Sequence, residues 1–153
     1  MIRVDAIAAL PAAPGAYALL LALPRAVAAP ERLGGVPLGP GLYVYAGSAR
    51  GPGGIRARVA RHARRGKPRH WHVDRLTEAG RVTAAVAIPE RRECAIVETL
   101  RNRPGVGFPV PGFGASDCRA CPAHLLRVPD RFGAEDLARG MAPSVLYEPR
   151  ESR

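Results

Sequence analysis

A nine-residue apolar segment, Gly15 to Leu23, limits most strongly what this chain can fold into. Pro14 and Pro24 bound the segment on both sides, which prevents it from continuing into a longer element. A short apolar run between such breakers is typical of a buried strand. The sequence therefore predicts a strand at the centre of a sheet.

A second strand is predicted from Gly41 to Gly47. Side chains alternate between the two faces of a strand, so Tyr43 and Tyr45 share one face while Leu42 and Val44 share the other. The two faces of this strand are thus expected to meet different surroundings.

The remaining elements follow from periodicity and turn residues. They are a short extra strand around Val36, an amphipathic helix from Gly53 to about Arg65, a strand from Arg81 to Ile88, a helix from Pro89 to about Asn102, a shaped loop from Gly105 to Pro122, and a short edge strand from His124 to Val128. This order predicts an α/β or α+β fold with a small, mainly antiparallel sheet of three to five strands flanked by helices. We expect residues 1–130 to form a single domain and residues 131–153 to be a loosely ordered C-terminal extension.

Charge and hydropathy restrict the function classes. The 153 residues suit one domain, and 23 Lys and Arg against 13 Asp and Glu give a formal charge of +10, which favours anionic partners such as nucleic acid. The most apolar stretch, Leu19 to Leu23, is followed by Pro24 and Arg25, far short of the roughly 20 residues of a membrane span. The chain start lacks the early basic segment of a signal peptide, so we expect a cytoplasmic protein without a membrane partner.

Arg58 and His62 are four residues apart on the first predicted helix, so they lie on one stripe of its surface. That stripe is about 60° from the apolar line that begins with Ile55 and Val59, which places it at the edge of the core. A cation there is well positioned to hold a phosphate. The alternative is a solvated basic helix face.

The two strands and the helix together resemble the GIY-YIG nucleases over about residues 15–100. The triplets Gly15-Ala16-Tyr17 and Tyr45-Ala46-Gly47 precede Arg58 and His62 in the order of that family's signature. The central residue of each triplet is Ala here, and 27 residues separate Tyr17 from Tyr45, more than the family pattern has. Neither departure removes a functional side chain. The resemblance implies a GIY-YIG-like fold.

A more specific resemblance, over nearly all of residues 41–125, is to one branch of that superfamily, a small family of unknown function whose members occur alone or fused to DNA glycosylases. The motifs that carry it are Gly47-Ser48-Ala49, Gly53-Gly54, Arg61-His62, His70-Trp71-His72-Val73-Asp74, Glu93-Cys94, Pro111-Gly112-Phe113-Gly114-Ala115-Ser116-Asp117-Cys118 and His124-Leu125. This resemblance implies nucleic acid as a partner, with DNA favoured over RNA, and an association with DNA glycosylases or other repair proteins.

The superfamily mechanism implies a role for each signature residue. Tyr45 would activate or orient a water molecule, Arg58 would hold the phosphate, and a helix carboxylate would bind one divalent metal, Mg²⁺ or Mn²⁺. Tyr17 belongs to the first triplet and joins the catalytic set. His62 is a candidate to share the role of base, because its reference pKa of about 6.5 is near working pH.

Two arguments disagree on the metal-binding carboxylate. Counting along the superfamily pattern selects Glu98. Helix geometry selects Glu93, which aligns with Val97 and Leu100 and so points toward the sheet. We favour Glu93 and keep Glu98 as the alternative.

A second group of candidates carries soft ligands. Cys118 and Cys121 are three residues apart, and His124 follows after three more, a spacing that can share a zinc ion. A structural zinc takes four protein ligands, so Cys94 or His72 would have to supply the fourth. Asp117, Cys118 and His124 could instead line the site, and buried cysteines without any ligand are common.

From residue 50 to residue 75 the chain has nine Lys or Arg residues and one acid, Asp74. We expect this stretch to be the surface that faces nucleic acid, with Trp71 stacking on a base or, alternatively, packing in the core. The predicted contact residues are Ser48, Arg61, Lys67, Arg69, His70, Trp71 and His72.

The sequence therefore predicts a nucleic-acid-binding protein that is a metal-dependent endonuclease. Two alternatives stay open: a non-catalytic module that recognises a phosphate or a DNA end, and an adaptor stabilised by zinc.

Overall fold

A computed structural model describes residues 1–115 and 118–150. The strands are β1 (Ile2–Val4), β2 (Gly15–Leu23), β3 (Val27–Ala28), β4 (Pro37–Leu38), β5 (Gly41–Ala49), β6 (Arg81–Pro89), β7 (Leu125–Val128) and β8 (Val145–Tyr147). The helices are α1 (Gly54–Ala63), α2 (Asp74–Ala79), α3 (Glu93–Leu100) and α4 (Ala134–Ala138), with 3₁₀ turns at Ile7–Ala9 and Glu31–Leu33.

Six strands form the central sheet, in the order β1-β8-β6-β2-β5-β7, and β3 pairs with β4 apart from it. Every neighbouring pair in the large sheet is antiparallel except β1 with β8. The predicted fold class is confirmed, although the sheet has more than the expected three to five strands.

Strand β2 is the structural centre of the sheet, and its bounds are those that the flanking prolines predict. It pairs over its whole length with β5 and over most of it with β6. Eight of its nine residues are buried, because both faces of the sheet are covered by other elements.

The two faces of the sheet support separate apolar cores. One contains Tyr17, Leu19, Leu21, Tyr43, Tyr45, Ile55, Val59 and Leu76. The other contains Ala18, Leu20, Val44, Ala46, Ile96, Val97, Leu100, Leu126, Leu137 and Leu146. The alternation predicted for β5, with its tyrosines on one face, is therefore observed.

Apolar spacing decides which face each helix covers. Helix α1 buries Ile55 and Val59 in the tyrosine-bearing core, and each such burial is worth about 1.5–3 kcal/mol. Helix α3 buries Ile96, Val97 and Leu100 in the opposite core. Within the part of the chain that the structure describes, no helix is long and apolar enough to cross a membrane.

The segment after residue 130 packs on the sheet, so the prediction of a loosely ordered extension is wrong for its described part. Leu137 of α4 is fully buried, and β8 lies between β1 and β6 in the central sheet. Three-residue strands carry little sequence signal of their own, and their pairing is what fixes them.

One cross-strand contact in this sheet depends on a missing side chain. Tyr17 and Gly47 are opposite each other in the β2–β5 register. A Cβ atom at position 47 would lie 2.4 Å from both Cζ and the hydroxyl oxygen of Tyr17. Tyr17 is buried and cannot move aside without opening the core.

We predict that Gly47→Ala lowers the free energy of unfolding by about 1–3 kcal/mol, the usual cost of overpacking a core. Chemical denaturation measures this loss. Gly107→Ala is the matched control, because a Cβ there meets no atom within 4 Å. Equal stability of the two variants would contradict the packing described here.

Candidate functional site

Tyr17 and His62 are joined by a buried hydrogen bond. The hydroxyl of Tyr17, on β2, lies 2.8 Å from Nε2 of His62, in the last turn of α1. Burial, together with the neighbouring Tyr45, raises the pKa of Tyr17 well above its ordinary value, despite the opposing effect of Arg58. Tyr17 is thus a neutral phenol that holds the imidazole in place.

His62 is an uncharged imidazole near neutral pH. It is 1% exposed, and burial lowers its pKa to about 3. Its Nδ1 has no hydrogen-bond partner among residues 1–115 and 118–150. The predicted role as a base depended on a pKa near 6.5, and the structure contradicts that premise. His62 is placed to position Tyr17 and Tyr45, whose ring centroids lie 5.5 and 5.9 Å from its own.

Tyr45 is subject to charges that come from helices on both faces of the sheet. Burial raises the pKa of Tyr45 to about 12; Arg58 of α1 acts to lower this pKa, whereas Asp74 and Glu93 act to raise it. The charges of Arg58 and Glu93 both act on the phenol, as the predicted mechanism requires.

Of the two candidate carboxylates, only Glu93 belongs to this group. Glu93 is the first residue of α3, and its Oε2 atom is buried without a hydrogen-bond partner in the described part of the chain. Glu98 is exposed and pairs with Arg101 at 3.2 Å. The helix argument therefore places Glu93 as the sequence predicted, and the alternative Glu98 points to solvent.

Trp71 is a half-buried platform under two arginines. The guanidinium carbon of Arg58 lies 4.4 Å from the centroid of the indole, and that of Arg61 lies 4.2 Å from it. The His62 ring is 5.9 Å away. The indole thereby orients Arg58 next to the tyrosines. This role is intermediate between stacking on a base and packing in the core, the two roles that the sequence left open.

Asp74 holds the loop that carries Trp71. Its buried carboxylate accepts two hydrogen bonds from Arg61, at 2.9 and 3.0 Å, and two from the backbone N–H groups of His70 and Trp71, at 2.7 and 2.9 Å. Burial alone would raise the Asp74 pKa, but these donors outweigh burial and lower the pKa to about 2. In the sequence Asp74 is the one acid of a basic stretch and the last residue of a family motif, and no role was predicted for it. Its partner, Arg61, is consequently committed to the fold rather than free for nucleic acid.

Lys67, which the sequence predicts to contact nucleic acid, is buried and hydrogen-bonded within the fold. Its side chain is fully buried, and Nζ donates to the carbonyls of His62 and Arg64 and to Oε1 of Glu78. The Lys67 ammonium and the Gly66 backbone N–H hold the pKa of Glu78 at about 2. Glu78 was missed because sequence spacing alone gives no sign of this pairing.

The exposed cations border a depression of about 420 Å³. Its walls include Arg32, Arg69, His70, Trp71, His72 and Arg75. We call this feature the cationic depression. Arg32 was not predicted, because it lies far from the basic stretch in sequence. Ser48, also predicted to contact nucleic acid, shares a face of β5 with Ala46, opposite to Tyr45, and is not among the residues that line this depression.

Four soft ligands meet next to Glu93. The candidate ligand atoms of Cys94, Cys118, Cys121 and His124 all lie within 4.8 Å of one another and could hold a metal ion. Cys94, not His72, is the fourth member of this group. His72 lies apart from it, where Nδ1 accepts the backbone N–H of Gly114 at 3.1 Å. Asp117 lies outside the described residues.

The Cys118 thiol has backbone donors around it. Burial acts to raise its pKa, but the N–H groups of Ala120 and Cys121 outweigh burial and lower the pKa. These donors favour the thiolate of Cys118, the form that binds metals, whereas burial raises the pKa of Cys94 and raises that of Cys121 to about 12.

We predict that Asp74→Asn lowers the free energy of unfolding by about 2–3 kcal/mol at pH 7, because it leaves a poorly solvated Arg61 without its carboxylate. The folded-state pKa of about 2 is below the ordinary value of 3.8, so the contribution of Asp74 is complete above about pH 4 and is lost as pH falls through 2. Denaturation at a series of pH values measures both effects.

Asp130→Asn is the control for this prediction, since the Asp130 side chain is 88% exposed. If Asp74→Asn loses as much stability between pH 4 and pH 2 as the wild-type protein does, that loss is caused by other carboxylates.

Comparison with known proteins gives a family. No curated protein and no solved structure matches the chain. The model of the domain of unknown function DUF123 matches residues 16–145, a range that includes the second triplet, the first triplet except Gly15, the basic stretch, Glu93 and the four soft ligands. Because this match spans most of the 153 residues, the chain belongs to the DUF123 family.

Proposed function

We propose that this protein binds nucleic acid, with DNA as the expected form, and hydrolyses a phosphodiester bond at the group formed by Tyr45, Arg58 and Glu93. The observations that support the proposal are that the charges of Arg58 and Glu93 both act on the Tyr45 phenol, that Oε2 of Glu93 is buried without a partner among the described residues, and that Arg58 lies over Trp71, which lines the cationic depression. Phosphodiester hydrolysis needs these chemical groups: a donor to the phosphoryl oxygens, a group that orients water, and a ligand for a cation.

Each residue has a task that its surroundings support. Arg58, oriented by the Trp71 indole, is placed to donate hydrogen bonds to the phosphoryl oxygens. Tyr45 is a neutral phenol that can orient a water molecule through its hydroxyl. Tyr17 and His62 hold the position of Tyr45 through the hydrogen bond that joins their own side chains.

Glu93 fits the divalent cation that the GIY-YIG resemblance implies. A buried carboxylate oxygen without a hydrogen-bond donor is a suitable ligand for a hard cation such as Mg²⁺ or Mn²⁺. Such an ion supplies charge neutralisation and an acidified water molecule when bound. Gln at position 93 would retain the shape of the side chain but lose the charge.

The non-catalytic alternative is favoured by one specific observation. Tyr45 has a pKa of about 12 and His62 a pKa of about 3, so neither is a good base for water near pH 7. A site of this kind could hold a phosphate or a DNA end without hydrolysing it. The experiments below separate the two functions.

We predict that the protein cleaves single-stranded, nicked or branched DNA in Mg²⁺ or Mn²⁺, and that Arg58→Ala lowers the rate about 10²- to 10³-fold because it removes a transition-state donor. Gel assays under single-turnover conditions measure the rate. Arg64→Ala is the matched control: it removes the same charge from an exposed position directly after α1. Glu93→Gln should abolish cleavage with little loss of binding.

Cleavage by Arg58→Ala at the wild-type rate would contradict the assignment of Arg58. If the wild-type protein binds these substrates and cuts none of them, the enzyme proposal fails and the binding module remains.

We predict that binding is electrostatic and is centred on the cationic depression. Arg69→Ala and Arg75→Ala should each weaken binding of any sequence and reduce the slope of log K against log salt by about 1. Fluorescence anisotropy at several salt concentrations measures the slope. Arg131→Ala, a loss of charge at an exposed position near α4, should change it less. Equal effects of all three would indicate a general charge effect without a defined surface.

A further inference from the structure

We propose that Cys94, Cys118, Cys121 and His124 bind one structural zinc ion, which fastens the loop between residues 105 and 124 to the first turn of α3. This inference goes beyond the proposed hydrolysis, because the ion would be held apart from Glu93 and by different chemistry.

The distances within the group suit a tetrahedral site. Sγ of Cys94 lies 3.5 Å from Sγ of Cys118, and all four ligand atoms are within 4.8 Å of one another. Zinc bound to sulfur at about 2.3 Å in a tetrahedron separates neighbouring sulfur atoms by about 3.8 Å. The same sulfurs are much too far apart for a disulfide, whose bond is about 2.05 Å. The side chains are thus arranged around a point rather than paired.

An unpartnered nitrogen atom of His124 is an independent indication that this group binds a metal ion. The residue is only 4% exposed, and its Nε2 atom is buried without a hydrogen-bond partner among residues 1–115 and 118–150. Buried polar atoms are nearly always satisfied by a partner. A metal ion at the centre of the group satisfies the free ring nitrogen together with the three thiols.

The donor set selects zinc over the cation considered for Glu93. Three thiolates and one imidazole are soft or borderline ligands, which suit zinc and not Mg²⁺. With all four positions filled by the protein, such a site is closed and does not bind substrate. The zinc therefore has a structural role.

The ligands connect three parts of the fold. Cys94 belongs to α3, Cys118 and Cys121 to the loop, and His124 stands directly before β7. Two backbone hydrogen bonds, both 2.8 Å long, already join the two ends of the loop. The N–H of Gly112 donates to the Pro122 carbonyl, and the N–H of His124 donates to the Phe113 carbonyl.

This loop is also the wall of the candidate active site. A Cβ atom at Gly114 would lie 2.9 Å from Cε2 of Tyr45, so the loop backbone packs directly on that ring. The carbonyl of His124 accepts the N–H of Ala46, the residue after Tyr45. Zinc bound here stabilises the position of the loop against Tyr45, and Cys94 fixes the start of α3, where Glu93 lies.

The test measures metal content and coordination in the full-length protein. Elemental analysis of protein purified without chelator is expected to give one zinc per chain. After removal of zinc, titration with Co²⁺ is expected to give the intense visible bands of a tetrahedral site and sulfur-to-cobalt charge transfer in the ultraviolet. Removal of the zinc should lower the melting temperature, and zinc should restore it.

Variants assign the ligands. Cys121→Ser is expected to lower the affinity for zinc more than about tenfold, since it removes a direct ligand. His70→Ala is the control, because His70 is exposed and lies outside the group. It should retain one zinc per chain. If Cys121→Ser does not fold, the cobalt spectrum of the wild-type protein still decides between three-sulfur tetrahedral coordination and another site.

Three results would overturn the proposal: a wild-type protein without zinc that also fails to bind Co²⁺, a cobalt spectrum without sulfur charge transfer, or stoichiometric iron in place of zinc. None of these depends on a cleavage assay. A protein that contains zinc but cuts no DNA would refute the proposed hydrolysis alone, and one that cuts DNA without zinc would refute this inference alone.

Discussion

The contact of Tyr17 with Gly47 is the constraint on which the site depends. The register of β2 and β5 sets these two residues opposite each other, and only a glycine leaves room for the phenol ring to cross the neighbouring strand. The ring then ends at His62, which α1 buries against the sheet. One missing Cβ atom thus aligns a strand pair with a helix, and Arg58, one turn before His62, is positioned as a result.

The site needs both faces of the sheet. Arg58 comes from a helix on the tyrosine-bearing face, whereas Glu93 begins a helix that packs on the other face. The charges of both residues act on the Tyr45 phenol, Glu93 from the first turn of α3. The soft-ligand group begins one residue later, at Cys94. Two groups with different ligand chemistry can therefore be neighbours without sharing a residue.

Much of the fold could be predicted from local sequence. The prolines around β2 fix its bounds, and alternation assigns Tyr45 and Val44 to opposite faces of β5. Helical spacing distinguishes Glu93 from Glu98 correctly, although pattern counting favoured Glu98. The last two results have one cause: each depends on a period of two or 3.6 residues that the chain displays within one element.

What could not be predicted depends on contacts between distant residues. The charge of Lys67 is visible in the sequence, but its burial against Glu78 is not. Cys94 becomes the fourth member of the soft-ligand group only because α3 and the loop pack together. Strands β1 and β8 are too short to show a period, and their parallel pairing is long-range. That pairing also orders the assembly of this sheet: β1 is synthesised first of the six strands and its neighbour β8 last, so β1 must wait unpaired until β8 has been made.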